Sequence, residues 1–362
     1  MFEPQFKLTP ALVKILIEIE ALKQEIDLLP LTPKVLAGLR ETAKLSTIHY
    51  STMIEGNRLT QEEVNQVINY KASIKNKNRD EKEVLGYFAA LDYLEKLVKE
   101  EAEISQKIIK TIHALVMAAG KQNVKPTPYR DGQNVIREGL THKIVYLPPE
   151  AKDVPILMKD LVSWLNESEE DIPCPVLAAI AHYELATIHP YYDGNGRTAR
   201  LLTTIVLHLC GYGLKGLYSL DEYYAKDLQD YYKAISIGSS HNYYEGRAQA
   251  DITSWIEYFC RGMLNSFTNV KNQALTAFHR GEKDKSVSLR KLDVRKRKVM
   301  PLFENFDQVS SLQIADFLKI SPRTARALCQ KWVNESFLEI SDKSKKSRKY
   351  TLHPNFASLI SV

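Results

Sequence analysis

Residues 189–200 read HPYYDGNGRTAR, and the reading of this stretch decides the fold. Gly194-Asn195-Gly196 predicts a tight turn opening directly into a helix over 197–209, while 175–188 predicts a long, mostly buried helix ahead of it. Successive backbone N–H groups at such a turn, together with the helix N-terminus, make an anion site. Arg197 and Arg200 lie three apart and share one face of the new helix. Two cations in a first turn oppose the helix dipole, so helix stability does not favour them, whereas phosphate binding does. Asp193 can hold a Mg2+ that itself rests on phosphate oxygens. His189 closes the preceding helix and can take a proton near neutral pH. Any one of these residues alone would suit a plain interhelical turn with surface arginines and a capping aspartate. Base, carboxylate, glycine turn and two arginines within twelve residues argue against that.

The rest of the 362 residues is consistent with an ordinary globular chain: 44% hydrophobic and 26% charged, long enough for two or three domains. The four cysteines stand far apart without a CxxC pair, which disfavours a disulfide framework or zinc knuckle and suits a reducing cytoplasm. MFEPQFKLTP does not look like a signal peptide, and no run approaches the length of a membrane span, so a cytoplasmic protein without a membrane partner is expected. Apolar residues recur at helical spacing almost throughout, as in Leu12, Ile15, Leu16 and Ile19, or Ile104, Ile108, Ile112 and Leu115. The class is mainly α. The run 141–150, THKIVYLPPE, predicts one arm of a hairpin, and the polar stretch 72–83 predicts a loop. Gly211 to Gly216 spell GxGxxG, but after a helix rather than a strand, so a helix-ending turn is expected there. His182-Tyr183-Glu184 lacks the downstream PCxxC of zinc deaminases, and no GxxxxGK(S/T) is present.

The stretch from His189 resembles the HPFx(D/E)GNGRxxR signature of the Fic (Fido) family, with Tyr191 where phenylalanine is usual. The flanking ISQKIIKTIHALVM, PYRDGQNVI and WLNESEE are similar too, and the likeness covers roughly residues 80–262 with motif support from residue 51. The resemblance implies a Fic-fold helical bundle with a small β-hairpin flap. It also implies protein adenylyltransferase activity, in which AMP passes from ATP to a Ser, Thr or Tyr hydroxyl of a target protein, or of the chain itself, releasing pyrophosphate. His189 resembles the base for the target hydroxyl and Asp193 the Mg2+ ligand. Gly194, Asn195, Gly196, Arg197, Thr198, Ala199 and Arg200 correspond to the ATP cradle, with Arg197 on the α/β-phosphates and Arg200 on the γ-phosphate. Lys143, Ile144, Val145 and Tyr146 resemble the flap, whose edge can present a target segment by strand addition. Tyr231 resembles the adenine-stacking tyrosine, although a core role suits it as well.

Upstream, residues 51–60 read STMIEGNRLT. Gly56-Asn57 ends a helix, and Glu55 in its last turn faces the negative end of the dipole, where a cation is normally favoured. Ser51 and Glu55 match the family's inhibitory pattern (S/T)xxxE(G/N), on a helix of about 36–56. A Glu55–Arg200 pair would place Glu55 in the ATP site and deny Arg200 to the γ-phosphate.

The chain carries a net charge of +5, and residues 290–349 hold 15 Lys and Arg against 7 Asp and Glu. SLQIADFLKI, the capped Ser321-Pro322 and RTARALCQKWVNE predict two helices, followed by two strands around a lysine-rich turn. This resembles a winged helix-turn-helix, with Arg323, Thr324 and Arg326 starting the recognition helix and 343–349 as the wing, and so implies DNA as a partner. A protein-docking or homodimer-stabilising module is the alternative. The expected organisation is a helical region over 1–100, the Fic domain over 101–264, a connector over 265–290 and the winged helix over 291–362. A nucleotide-sensing DNA-binding regulator and an enzyme that removes AMP through the same site are the alternatives to adenylyl transfer.

Overall fold

The computed structural model describes residues 2–29, 31, 33–137, 144–168, 171–238, 240–279, 292–306, 308–342, 344 and 348–357. Lys143, most of the expected wing and the part of the connector after 279 lie outside them. The chain divides into two compact units, Met1–Phe278 and His279–Val362.

The first unit is helical. Its elements are α1 (Pro10–Asp27), α2 (Pro33–Ile54), α3 (Gln61–Tyr70), α4 (Asn78–Lys99), α5 (Gln106–Met117), a hairpin of β1 (Ile136–Arg137) and β2 (Ile144–Tyr146), α6 (Val154–Glu167), α7 (Cys174–Ile188), α8 (Asn195–Leu209), α9 (Leu220–Lys226), α10 (Leu228–Ile235) and α11 (Thr253–His279). Local chemistry sets many of the starts. Thr9 caps α1 ahead of Pro10, Thr60 and Glu63 close a capping box on α3, and Ser105 caps α5. α7 is buried at every position but Ala186 and forms the axis of the bundle; α8 packs back along it, and Trp255 of α11 donates from Nε1 to the Ala179 carbonyl at 2.7 Å. A helix buried all round belongs to the centre of a large core. After α8, Gly211 takes φ +78° and a short 3-10 turn follows, so the GxGxxG spelling marks a helix end, as expected.

Three sequence-based expectations shift. The 1–100 region is not a body of its own, because α2 packs on α9, α4 and α8 and shares the core that holds α7. The loop expected over 72–83 gives way to α4 at Asn78, where buried Asp80 accepts from Arg58 Nη2 at 2.8 Å and its carbonyl accepts from Asn57. The connector expected from 265 is helical to 279, since Phe267, Val270 and Ala274 recur on one face of α11 and are buried.

The second unit has its own core of Val299, Ile314, Ala325, Cys329, Trp332, Phe337 and Tyr350. Helices Ser311–Leu318 and Pro322–Asn334 are followed by strands Leu338–Asp342 and Lys349–Leu352, which pair antiparallel; Val309–Ser310 adds a third strand on the outer side of Lys349–Leu352. Ser321 Oγ accepts from Thr324 N, capping the second helix with Pro322 at its first turn. The two-residue strand was too short to leave a period in the sequence.

Candidate active site at the α7–α8 turn

The α7–α8 turn is held by backbone geometry that few residues tolerate. His189 terminates α7 in the left-handed region, φ 53° and ψ 58°, a conformation costing a non-glycine residue on the order of 1 kcal/mol. Its N–H donates to the Leu185 carbonyl at 3.0 Å, and its Nδ1 lies 3.3 Å from the Ala186 carbonyl. That second contact assigns the proton to Nδ1 and leaves Nε2 as the free base nitrogen. Burial holds the imidazole well below its usual range, at about 4, so the ring is neutral at physiological pH. Gly194 adopts φ +76° against the edge of His113, ahead of the first turn of α8.

The charged groups of the stretch gather at the start of α8. Gly194 N–H is taken by Asp193 Oδ1 at 2.6 Å, whereas the first-turn amides of α8 have no intrahelical acceptor. Arg197, buried, reaches Asp193 Oδ1 with Nη2 at 3.4 Å. Arg200 is also buried: Nε donates to Ser51 Oγ and Nη2 to the Ser51 carbonyl, each at 2.8 Å, and Nη2 also donates to Glu55 Oε1 at 2.9 Å. Glu55 sits just beyond α2, with Gly56 at φ +89° behind it, and its side chain is 29% exposed. Its Oε1 lies so close to Gly196 that a methyl group there would collide with it. The carboxylate therefore occupies the α8 N-terminus as well as the arginine.

Other expected residues fall into place differently. Asn195 does not offer its amide to a ligand; the side chain is buried and binds both backbone groups of Tyr191, accepting at 2.9 Å and donating at 2.8 Å. Thr198 Oγ1 donates to the Gly194 carbonyl and Ala199 is fully buried, so neither side chain faces the site. Ile144 and Val145 are exposed on β2, paired antiparallel with β1, while Tyr146 is buried with its hydroxyl on the Thr187 carbonyl at 2.8 Å. Tyr231 is buried among Tyr224, Tyr232 and Trp255, its hydroxyl 3.0 Å from His182 Nε2, which is the core role; Tyr232 beside it is 48% exposed.

Sequence reading missed three supports. Buried Arg130 donates from Nε to the His189 carbonyl at 3.0 Å and from Nη1 to the Gly132 carbonyl at 3.0 Å, while its own N–H binds the Pro190 carbonyl. His113 stacks on Tyr191, with centroids 3.7 Å apart, and its Nε2 lies 2.9 Å from the Asp193 carbonyl. Asp221 lies 3.2 Å from Arg200 Nε. Arg130 and His113 sit inside stretches singled out on other grounds; Asp221 sits in no motif.

For a metal, Asp193 offers a carboxylate that is 64% exposed, and no group of three or more His, Cys, Asp or Glu forms a cage among the described residues. One exposed carboxylate beside an anion site fits Mg2+, which usually keeps waters and binds through one or two carboxylates plus substrate phosphates.

Residues 103–207 match the Fic/DOC family model, and the mainly helical architecture is the Fic fold. A Fic family protein from Desulfovibrio desulfuricans G20 superposes with a TM-score of 0.64 over 98% of this chain and 99% of that one at 23% identity, a likeness of fold. Fic-1 from C. elegans gives 0.56 at 26% identity over 72% of this chain and 71% of that one. Among curated relatives, the protein adenylyltransferase Fic of Drosophila erecta is 32% identical over 199 residues, which is 54% of this chain and 39% of the relative. That of Aedes aegypti is 34% identical over 184 residues, covering 50% and 35%. The chain thus spans well under half the length of the curated relatives it matches.

Proposed function

We propose that the chain is a protein adenylyltransferase, transferring AMP from ATP to a hydroxyl side chain of a target protein and of itself, and held inactive by Glu55. The observation that carries this is the Glu55 carboxylate seated on Arg200 and against Gly196, where a helix N-terminus and a guanidinium converge on one anion. Removing the glutamate would leave a pocket suited to a terminal phosphate. Arg197 would then bear on the inner phosphates and fix the α-phosphorus in line with the incoming hydroxyl. His189 Nε2 takes the hydroxyl proton as the oxygen–phosphorus bond forms and the bond to pyrophosphate breaks. Charge stabilisation and positioning do most of the work in such transfers, and a histidine base adds about 10²–10⁴-fold. Mg2+ held by Asp193 would neutralise phosphate charge at this site. The exposed Ile144 and Val145 edge of β2 would pair with the segment that carries the hydroxyl. Relatives named protein adenylyltransferase Fic support the activity.

The test is incubation of Glu55→Gly with labelled ATP and Mg2+, scoring self-labelling and labelling of an added extract. His189→Ala in that background should abolish labelling while nucleotide binding persists; retained labelling would remove the base assignment. The same site run in reverse, with water in place of the hydroxyl, would remove AMP, and release of label from a pre-modified protein separates the two.

A second reading concerns the C-terminal unit. Arg323, Thr324 and Arg326 are exposed at the start of helix Pro322–Asn334. This favours a winged-helix contact with duplex DNA, giving the chain a regulator's role beside the enzyme's. A protein or second copy of the chain is the other partner that such a face would suit.

A further inference from the structure

Among the described residues Arg200 has two carboxylate neighbours, and they differ in kind. Glu55 stands at the end of α2, 29% exposed, and binds Nη2. Asp221 stands in α9 with its side chain 4% exposed, 3.2 Å from Nε. The Nε–H itself is spent on Ser51 Oγ, and Asp221 Oδ1 accepts no hydrogen bond from the described residues. Asp221 therefore neutralises the guanidinium without taking a donor from it, and it does so from the Nε side, leaving the Nη edge for another anion.

A buried cation stripped of its only counter-ion is strongly destabilising. If Glu55 were the sole partner of Arg200, its departure would strand a charge that is 2% exposed, and the inhibited state would be close to permanent. We propose that Asp221 is the standing counter-ion of Arg200, a positioning residue that keeps the guanidinium paired and oriented while Glu55 and an incoming phosphate exchange at its other edge. Calling Glu55 the exchangeable partner rests on the autoinhibition reading above; the pairing itself does not. Burial pushes the Asp221 carboxyl above its ordinary range, and the Arg200 charge, followed by hydrogen bonds from Ser51 and its own backbone, offsets part of that rise.

The experiment is a double-mutant cycle on the full chain without nucleotide, read by differential scanning calorimetry. Glu55→Gly alone should lower the melting temperature of the larger unit by about 1–3 °C, because Arg200 keeps Asp221. In the Asp221→Asn background the same substitution should lower it by roughly 5–10 °C, because both partners are gone. Any helix-propensity effect of glycine is common to both arms and cancels. Glu55→Gln in the same cycle serves if the glycine double variant does not fold, and Arg200→Met should abolish the non-additivity, which a merely structural aspartate would not do. Equal drops in both backgrounds overturn the proposal. A non-additive cycle in a chain whose Glu55→Gly form transfers no AMP keeps the counter-ion and removes the catalytic reading; an additive cycle in an active chain does the reverse.

Discussion

Glu55→Gly is the perturbation whose size follows most directly from the geometry. The bond it removes is a charge-assisted one, 2.9 Å from a buried guanidinium. Such bonds are worth about 1.5–3 kcal/mol, and the exposed side of Glu55 places this one toward the lower end. At about 1.4 kcal/mol per factor of ten, freeing Arg200 should tighten engagement of the γ-phosphate at least about tenfold. A second effect multiplies the first. With nucleotide bound as proposed, Glu55 over Gly196 would keep a triphosphate from settling on the α8 N-terminus, and a misplacement of about 1 Å at the α-phosphorus can cost on the order of 10²-fold. The combined gain in transfer should be on the order of 10²–10³-fold. The assay is the initial rate of label transfer from α-labelled ATP, with Arg200→Ala as the control that should lose the gain. A Glu55→Gly rate within about twofold of the parent would refute the reasoning, since an occupied clamp and a free one would then be equivalent.

Acid should act late on the same variant: with burial holding His189 at about 4, kcat/KM should stay level from neutrality to about pH 5 and fall below that, and an inflection near 6.5 would contradict the buried base. Asn195→Ala removes both hydrogen bonds to the Tyr191 backbone and leaves two buried polar groups unmet, about 2–4 kcal/mol, so the melting temperature should drop by several degrees while Tyr191→Phe stays near the parent. For the C-terminal unit, Arg323→Ala and Arg326→Ala should each weaken retention of duplex DNA and reduce the salt slope by about 1; a mobility shift that ignores both substitutions would favour a protein partner for this face.

The sequence by itself determined the helical class and the α7–α8 turn. Their signals are local: apolar spacing at 3.6 residues, a glycine turn, and charges set against a helix dipole. It also flagged Glu55 as out of place, because a carboxylate at a helix end is anomalous whatever surrounds it. Only the tertiary structure decided which groups each side chain spends itself on. Asn195 sits in the signature, yet its amide is turned inward onto Tyr191, and Tyr231 is packed into the core with the exposed ring at Tyr232. Arg130 reaches the His189 carbonyl across 59 positions of chain, and Arg200 meets Ser51 across 149. Asp221 left no trace in any motif, because a counter-ion needs only to be buried at the right distance. Periodicity and dipoles act along a single helix and can be read from the order of residues. Hydrogen-bond satisfaction and charge pairing act through space, and folding alone brings those partners together.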